Sequence, residues 1–227
     1  MHSYQIKYET IRVNNVDYLI RSLKDRQQFY DRGKCAEALG ISSSNWPLFG
    51  VIWPASKILA ATVSLLELDG KRVLEIGSGI ALSSIVLHKM GVDITASDYH
   101  PLAKEFLDKN VQGNYLSPIK FQTGNWETEN PLLGEFDLII GSDILYEPAH
   151  SELVSQFIDR HSSVAAEVII VDPNRGNYAN FTKKMIAFGY QHDCELFNLD
   201  DSDETCCNGR ILHYQRGRGI REQARVS

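Results

Sequence analysis

The residues that could do chemistry in this chain follow short apolar runs at regular distances. Gly77 and Gly79 come directly after the run 73–76, and Asp98 ends a second run further on. The two glycines permit a tight turn and let a ligand approach the backbone closely. A carboxylate about 20 residues after such a turn can accept both hydrogen bonds of a ribose diol. The spacing therefore predicts a β-α-β unit that binds an adenosine-bearing cofactor.

The position of the missing third glycine narrows the choice of cofactor. A dinucleotide turn has glycine where this chain has Leu82, whose side chain would obstruct the close helix packing that supports a pyrophosphate. This disfavours a nicotinamide or flavin cofactor. The pattern acidic-x-G-x-G, which starts at Glu75, instead resembles motif I of the class I, seven-strand, S-adenosylmethionine-dependent methyltransferases. The resemblance implies that Glu75 helps to hold the methionine amino end, and Ala81 stands where that motif usually has its third small residue, a glycine.

Further side chains are expected to line the cofactor site. Asn125 and Trp126 follow the third predicted strand, where the amide could pair with the adenine edge and the indole could cover its face. The alternative is an asparagine in a turn beside a tryptophan of the core. Trp53 either forms a wall at the methionine end or packs under the sheet. Three neighbours of these positions complete the predicted cofactor-binding set: Ser78, Tyr99 and Ser142.

The loop after the fourth core strand, GSDILYEP, carries the candidates for the methyl acceptor site. Its Asp143 and Tyr146 form a D-x-x-Y pattern that resembles the post-II motif of methyltransferase family 16, which includes many protein-lysine methyltransferases. The segments GVIWPAS, LEIGSG, SDYHP, GNW and FDLIIGSDILY occur in that family's order. The similarity covers residues 46–148.

The resemblance implies that Asp143 and Tyr146 are catalytic and that the protein is an N-methyltransferase acting on a protein side chain, foremost lysine. Lysine has an ordinary pKa of about 10.4, so something must favour and aim its neutral form. We expect Asp143 to orient the nitrogen by hydrogen bonding, while the proton goes to water and positioning carries most of the rate. Tyr146 would complete the pocket. The alternative roles are a helix N-cap for Asp143 and a packed ring for Tyr146.

Other functional assignments remain open at this level. A small molecule or a protein histidine could be the acceptor on the same core, and a catalytically idle binding module could keep the fold. The segment 172–175, Asp-Pro-Asn-Arg, follows the fifth strand and is expected either to contact a substrate backbone or carboxylate, or to be a turn with a surface arginine. It also resembles the D-P-x-R segment of electron-transfer-flavoprotein lysine methyltransferases. His100 is expected to be structural.

Alternating strands and helices must position these residues. They predict an α/β fold, a doubly wound, mostly parallel, Rossmann-like sheet of seven strands that ends in an antiparallel hairpin. Ligands bind outside the carboxyl ends of the strands in such sheets. We assign residues 1–45 to a strand-rich extension with a turn at Asn14 and Asn15, 46–217 to the methyltransferase domain, and 218–227 to a basic tail. The extension is not expected to be an independent domain.

The composition is typical of a globular protein, and the net charge bears on which partners it could bind. The 227 residues are 43% hydrophobic and 23% charged, and the net charge of -6 disfavours a nucleic-acid-binding surface. The sequence shows neither a secretory leader nor an apolar run long enough to span a membrane, so we expect a cytoplasmic protein with a protein substrate. No oligomeric state is predicted. Four cysteines without metal-ligand spacing are expected to be reduced thiols: Cys35, Cys194, Cys206 and Cys207.

Overall fold

The computed structural model of the chain describes residues 4–128, 130–199 and 207–217. These residues form nine strands, six α-helices and one 3-10 helix. In chain order the elements are β1 (Ile6–Val13), β2 (Val16–Leu23), α1 (Cys35–Ala38), the 3-10 helix (Trp46–Gly50), α2 (Pro54–Val63), β3 (Arg72–Ile76), α3 (Leu82–Lys89), β4 (Asp93–Asp98), α4 (Ala103–Gly113), β5 (Lys120–Thr123), β6 (Phe136–Ser142), α5 (His150–His161), β7 (Ser162–Asp172), α6 (Tyr178–Ala187), β8 (Gln191–Leu199) and β9 (Cys207–Gln215).

Seven of the strands form one sheet in the order β5-β4-β3-β6-β7-β9-β8. The first five are parallel to one another, and β9 pairs antiparallel with both β7 and β8. The predicted doubly wound, mostly parallel sheet with a final antiparallel hairpin is therefore confirmed. The chain moves outward from β3 to β4 and β5 on one side, and from β6 onward on the other. Ligands bind at the carboxyl ends of strands beside such a switch in direction.

Both faces of the sheet are buried, because crossover helices cover them. Val73 and Leu138 belong to the core cluster that includes residues of α2 and α3, whereas Leu74 and Ile139 belong to the cluster with α5 and α6. Successive strand residues point to opposite faces, so neighbouring apolar residues of β3 and of β6 supply both cores. The carboxyl ends of the strands are thus held by packing on two sides.

The N-terminal strands form a separate two-stranded sheet whose turn is at Asn14 and Asn15, as predicted. Both turn residues have positive φ, which suits a tight hairpin. Asn110 of α4 and Asn114, the C-cap of that helix, bind the second strand of this hairpin. The Asn110 Oδ1 accepts a hydrogen bond from the Arg21 N–H at 2.6 Å, and the Asn114 Oδ1 accepts one from the Leu19 N–H at 3.0 Å.

A turn separates β4 from α4. Residues 101 and 102 form this turn, in which the Ala103 N–H donates to the His100 carbonyl at 3.0 Å, so α4 begins at Ala103. The acidic segment 200–204 and the predicted basic tail 218–227 lie outside the described residues. No helix in the described part of the chain is long and apolar enough to cross a membrane.

Candidate functional site

A left-handed turn at the carboxyl end of β3 forms the centre of the site. Gly77 and Gly79 have φ of 56° and 51°, and Ala81, which precedes α3, has φ of 62°. A Cβ on Gly79 would lie 2.8 Å from the carbonyl oxygen of Phe49, in the 3-10 helix. A Cβ on Gly77 would lie 2.8 Å from the Cγ2 of Ile144. Glycine is required at both positions, both for its backbone conformation and for space.

Asp98, at the end of β4, ties this turn to the next loop. Its Oδ2 accepts a hydrogen bond from the Gly79 N–H at 2.7 Å, and its Oδ1 accepts one from the His100 N–H at 2.8 Å. Burial raises the pKa of Asp98, although the residue keeps some exposed surface. The carboxylate therefore faces the glycine turn, and its remaining lone pairs can accept hydrogen bonds from ligand hydroxyl groups.

Glu75 lies in the middle of the site but bonds to a helix. It is 2% exposed, and its Oε2 accepts hydrogen bonds from both the N–H and the hydroxyl of Ser84, in the first turn of α3. Burial raises the pKa of Glu75 to about 7. An acidic group at a helix N-terminus also interacts favourably with the helix dipole. In this arrangement Glu75 holds the start of α3 against β3 and so supports the glycine turn between them. Its contact with the methionine end of the cofactor stays a prediction.

Trp53 and Tyr99, two aromatic residues of the predicted cofactor site, bind the backbone of the segment that precedes α2. The Trp53 Nε1–H donates to the Leu48 carbonyl at 2.9 Å, and the guanidinium of Arg26 lies 4.7 Å from the centre of the indole ring. The Tyr99 hydroxyl donates to the Leu39 carbonyl at 2.9 Å. These bonds position the polypeptide around the 3-10 helix, whose Phe49 covers Gly79.

The loop after β5 carries two residues of the predicted cofactor site, Asn125 and Trp126, and brings only Trp126 to the glycine turn. The Cζ2 of Trp126 lies 3.3 Å from the Cβ position of Gly77, and its ring packs edge to face on His150 with centroids 5.1 Å apart. The Asn125 Oδ1 instead accepts a hydrogen bond from the Glu127 N–H at 2.9 Å, which forms a local turn. This hydrogen bond agrees with the alternative interpretation of Asn125, in which it is an asparagine in a turn.

The residues present fit an adenosine-bearing cofactor. Ser78, between the two glycines, has a buried hydroxyl without a hydrogen-bond partner among the described residues, so the turn has a polar group left for a ligand. Asp98 offers hydrogen-bond acceptors, and the aromatic ring of Trp126 lies beside the same turn. No group of three or more His, Cys, Asp or Glu side chains in the described residues could hold a metal ion.

Asp143 follows β6, the neighbour of β3, in an unusual conformation. Its φ is 52°, and its N–H donates to the Val171 carbonyl at 2.9 Å. The alternative role as a helix N-cap is wrong, because α5 begins only at His150. The loop also makes no helical turn that would bring Asp143 and Tyr146 to one side, so the left-handed backbone of Asp143 sets the direction of its side chain.

Tyr146 closes the same loop against α5. It is 43% exposed, and its ring packs edge to face on His150 with centroids 4.6 Å apart. Burial raises the pKa of Tyr146 to about 12, and the negative charges of Glu147, Asp98 and Asp143 act in the same direction. The hydroxyl therefore stays protonated at neutral pH and can donate a hydrogen bond.

The sequence did not indicate the partner of Asp143. The guanidinium of Arg175 binds its carboxylate in bidentate fashion, with Nε to Oδ1 at 2.7 Å and Nη2 to Oδ2 at 2.6 Å. Arg175 was expected either to contact a substrate or to be a surface arginine in a turn. Its place after β7, next to β6 in the sheet, is the signal that could have suggested the pair, since the carboxyl ends of neighbouring parallel strands lie together.

The chain is similar to known proteins over its central part. The sequence model of a family described as lysine methyltransferase matches residues 43–187. The Protein N-lysine methyltransferase METTL21A of Danio rerio is 31% identical over 139 residues, which are 56% of this chain and 63% of that protein. The Histone-arginine methyltransferase METTL23 of Rattus norvegicus is 32% identical over 111 residues, 45% of this chain and 49% of that protein. The chain thus spans about half to three fifths of the length of these curated relatives.

Solved structures share the fold. The crystal structure of a methyltransferase from Pyrococcus furiosus matches with a TM-score of 0.60 at 18% identity, covering 73% of this chain and 83% of that chain. At this level of identity the likeness concerns the arrangement of the sheet and its helices.

Proposed function

Because this chain belongs to the lysine methyltransferase family, as its motifs predicted, we propose that it transfers a methyl group from S-adenosylmethionine to a protein side chain, with lysine as the acceptor. The residues assigned to the cofactor are the predicted set: Trp53, Glu75, Gly77, Ser78, Gly79, Asp98, Tyr99, Asn125, Trp126 and Ser142. Asp143 and Tyr146 are assigned to the acceptor.

One observation carries the proposal. The glycine turn with Asp98 lies at the carboxyl ends of β3 and β4, and Asp143 lies at the end of the adjacent strand β6. The loop that carries Asp143 also carries Tyr146, whose ring packs on His150 of α5. A cofactor held by Asp98 and an acceptor aimed by Asp143 would therefore meet at one edge of the sheet, which is the convergence that a group transfer requires.

The residues of the chain would act by positioning. When bound, S-adenosylmethionine supplies an electrophilic methyl group on a positively charged sulfur. The acceptor nitrogen must first lose a proton to water, and it then forms a bond to the methyl carbon as the bond from carbon to sulfur breaks. Asp143 would accept a hydrogen bond from the nitrogen, which aims its lone pair, and the protonated Tyr146 would fix the opposite side of the pocket.

The test separates cofactor binding from transfer. Calorimetry with S-adenosylmethionine should show binding to the purified protein, and labelled methyl groups should pass to a protein of a cell lysate. Asp143→Asn should retain cofactor binding but lose about a hundredfold in transfer, the scale of the loss when a reacting group is misplaced by about 1 Å. Asp108→Asn, which removes an exposed carboxylate paired with Lys104 on α4, is the matched control and should change neither measurement.

Absence of cofactor binding would refute the proposal. Mass spectrometry of the labelled protein identifies the modified residue, and methylarginine instead of methyllysine would refute lysine as the acceptor. That outcome is a real alternative, because one relative is named as an arginine methyltransferase. A cytoplasmic location and an acceptor other than nucleic acid belong to the same proposal, and microscopy of the tagged protein together with nuclease treatment of the labelled lysate tests them.

A further inference from the structure

The ion pair between Arg175 and Asp143 occupies the acceptor side of the site. Both carboxylate oxygens of Asp143 receive a guanidinium N–H, at 2.6 and 2.7 Å. The Asp143 side chain is 9% exposed, whereas that of Arg175 is 42% exposed. Bidentate pairs of this kind fix both groups in one plane. The carboxylate that was expected to meet the substrate is therefore oriented and charge-compensated before any substrate arrives.

The surrounding structure holds Arg175 in this position. The loop after β7 turns through Asn174 and Gly176, which have φ of 59° and 88°. The Oδ1 of Asn174 accepts a hydrogen bond from the Nε of Arg210, on β9, at 3.1 Å. A Cβ on Gly209 would lie 2.9 Å from the Cα of Pro173, so β9 packs directly against the loop. The pair with Asp143 is thus built by three neighbouring strands, β6, β7 and β9.

Charge compensation matters for an amine acceptor. A lone carboxylate within about 4–6 Å of an ammonium group raises the pKa of that group by about 1–3 units, which favours the form that cannot react. A carboxylate already paired with a guanidinium still accepts hydrogen bonds through its remaining lone pairs, but its net charge is cancelled. A carboxylate that is held in place and whose charge is cancelled can therefore orient the substrate nitrogen without opposing the loss of its proton.

We infer that Arg175 is a positioning residue of the acceptor site, which aims the Asp143 carboxylate and cancels its charge so that the acceptor amine is bound without being held as ammonium. This inference rests on the proposed function. Arg175 acts through Asp143 and touches neither the methyl group nor the sulfur in this assignment. The charge of Asp143 acts on Asp172 of β7, as does that of Arg210 on β9. Tyr146, in the same loop as Asp143, is acted on by Glu147, by Asp98 at the end of β4 and by Tyr99 after it, and His150 on α5 faces Glu147.

The decisive variant is Arg175→Met, which keeps the length of the side chain but removes its charge. The substrate probe is the protein that the wild type labels in a cell lysate, purified and used at saturating concentration. We expect the rising limb of the kcat against pH profile to move upward by about 1–3 pH units, the shift produced by an uncompensated carboxylate. At neutral pH both kcat and KM should fall, because the ammonium form binds more tightly and reacts less.

Two further variants distinguish this role from a structural one. Arg175→Lys keeps the charge but loses the bidentate geometry, so its kcat should fall while the pH midpoint stays near that of the wild type. Arg12→Met breaks the bidentate pair with Asp17 on the exposed hairpin and should change neither quantity. If Arg175→Met lowers kcat equally at all pH values, the charge-compensating role is refuted.

A binding measurement tests the inference without turnover. With S-adenosylhomocysteine present, Arg175→Met should bind n-butylammonium more tightly than the wild type does, and the double variant with Asp143→Asn should lose that gain. Equal binding by the wild type and Arg175→Met would overturn the inference. A wild type that labels no protein at all would instead count against the proposed function, so the two failures are distinguishable.

Discussion

The close approach of Gly79 to the carbonyl group of Phe49 allows the destabilisation by a substitution at Gly79 to be predicted quantitatively. Replacing Gly79 with alanine forces a residue with a Cβ into a left-handed conformation, φ 51°, and places that Cβ 2.8 Å from the carbonyl oxygen. The backbone contribution costs about 1–2 kcal/mol. Overpacking against the main chain of the 3-10 helix costs about 1–3 kcal/mol more. The total for Gly79→Ala is therefore about 2–5 kcal/mol of the free energy of unfolding.

Gly91 provides the matched control. It lies just after α3 with φ of 86°, and a Cβ there would meet no atom within 4 Å. Gly91→Ala therefore carries the backbone cost without the collision. In a chain of this size 1 kcal/mol corresponds to about 2–4 °C in Tm, so Gly91→Ala should lower Tm by about 2–8 °C and Gly79→Ala by about 4–20 °C.

Thermal unfolding followed by circular dichroism measures both variants, and calorimetry measures their binding of S-adenosylmethionine. We expect Gly79→Ala to weaken binding at least about tenfold, since a shift that costs 1.4 kcal/mol in the bound state already has that effect. Gly91→Ala should bind as the wild type does. Equal losses of Tm in the two variants, or undiminished cofactor binding by Gly79→Ala, would show that the 3-10 helix is not a fixed wall of the site.

Three further predictions concern neighbouring parts of the site. Asp98→Asn should weaken cofactor binding measured by calorimetry by about tenfold to a hundredfold, because hydrogen bonds to a charged group contribute about 1.5–3 kcal/mol. Asp93→Asn, at the opposite end of β4 in a surface ion pair, should leave the affinity unchanged. Burial lowers the pKa of His100 to about 3, below its ordinary value of about 6.5. The imidazole therefore stays neutral in the folded protein while the unfolded chain takes up a proton, so its contribution to stability is full above pH of about 6.5 and declines on acidification. Between pH 7 and 5 the wild type should therefore lose about 2 kcal/mol in urea unfolding that His100→Gln retains, and parallel curves would contradict this. Gly209→Ala should cost about 1–3 kcal/mol in the same assay, and it should also lower kcat, because the added methyl group displaces the loop that carries Arg175.

Much of the fold was predictable because its signals are local. The apolar run of β3, the helical spacing of α3 and the Asn14–Asn15 turn each depend on residues close together in the chain. The alternation of strands and helices then restricts the topology, since parallel strands need crossover helices. The same rule predicted that Asp98 and Asp143 would lie at one edge of the sheet, and both do.

The side-chain partners were not predictable, because they depend on contacts between distant segments. Glu75 is predicted to hold the methionine end of the cofactor, and the spacing did not indicate that its Oε2 also accepts hydrogen bonds from Ser84 in α3. Asn125 forms its own turn, and its neighbour Trp126 packs beside Gly77. The partner of each side chain depends on its rotamer and on which hydrogen-bonding groups compete for its polar atoms. The spacing of residues in the sequence does not predict the outcome of this competition.

The sequence by itself determined the glycine turn, the aspartate that ends β4 and the alternation of strands and helices, because backbone conformation and hydrophobic periodicity are local properties. Only the tertiary structure decided that the Asp143 carboxylate meets Arg175. That pair joins residues from the ends of two strands, and it needs the register of β6 on β7, the left-handed turn at Asp143 and the support of β9. The acceptor side of the site is therefore a property of the assembled sheet.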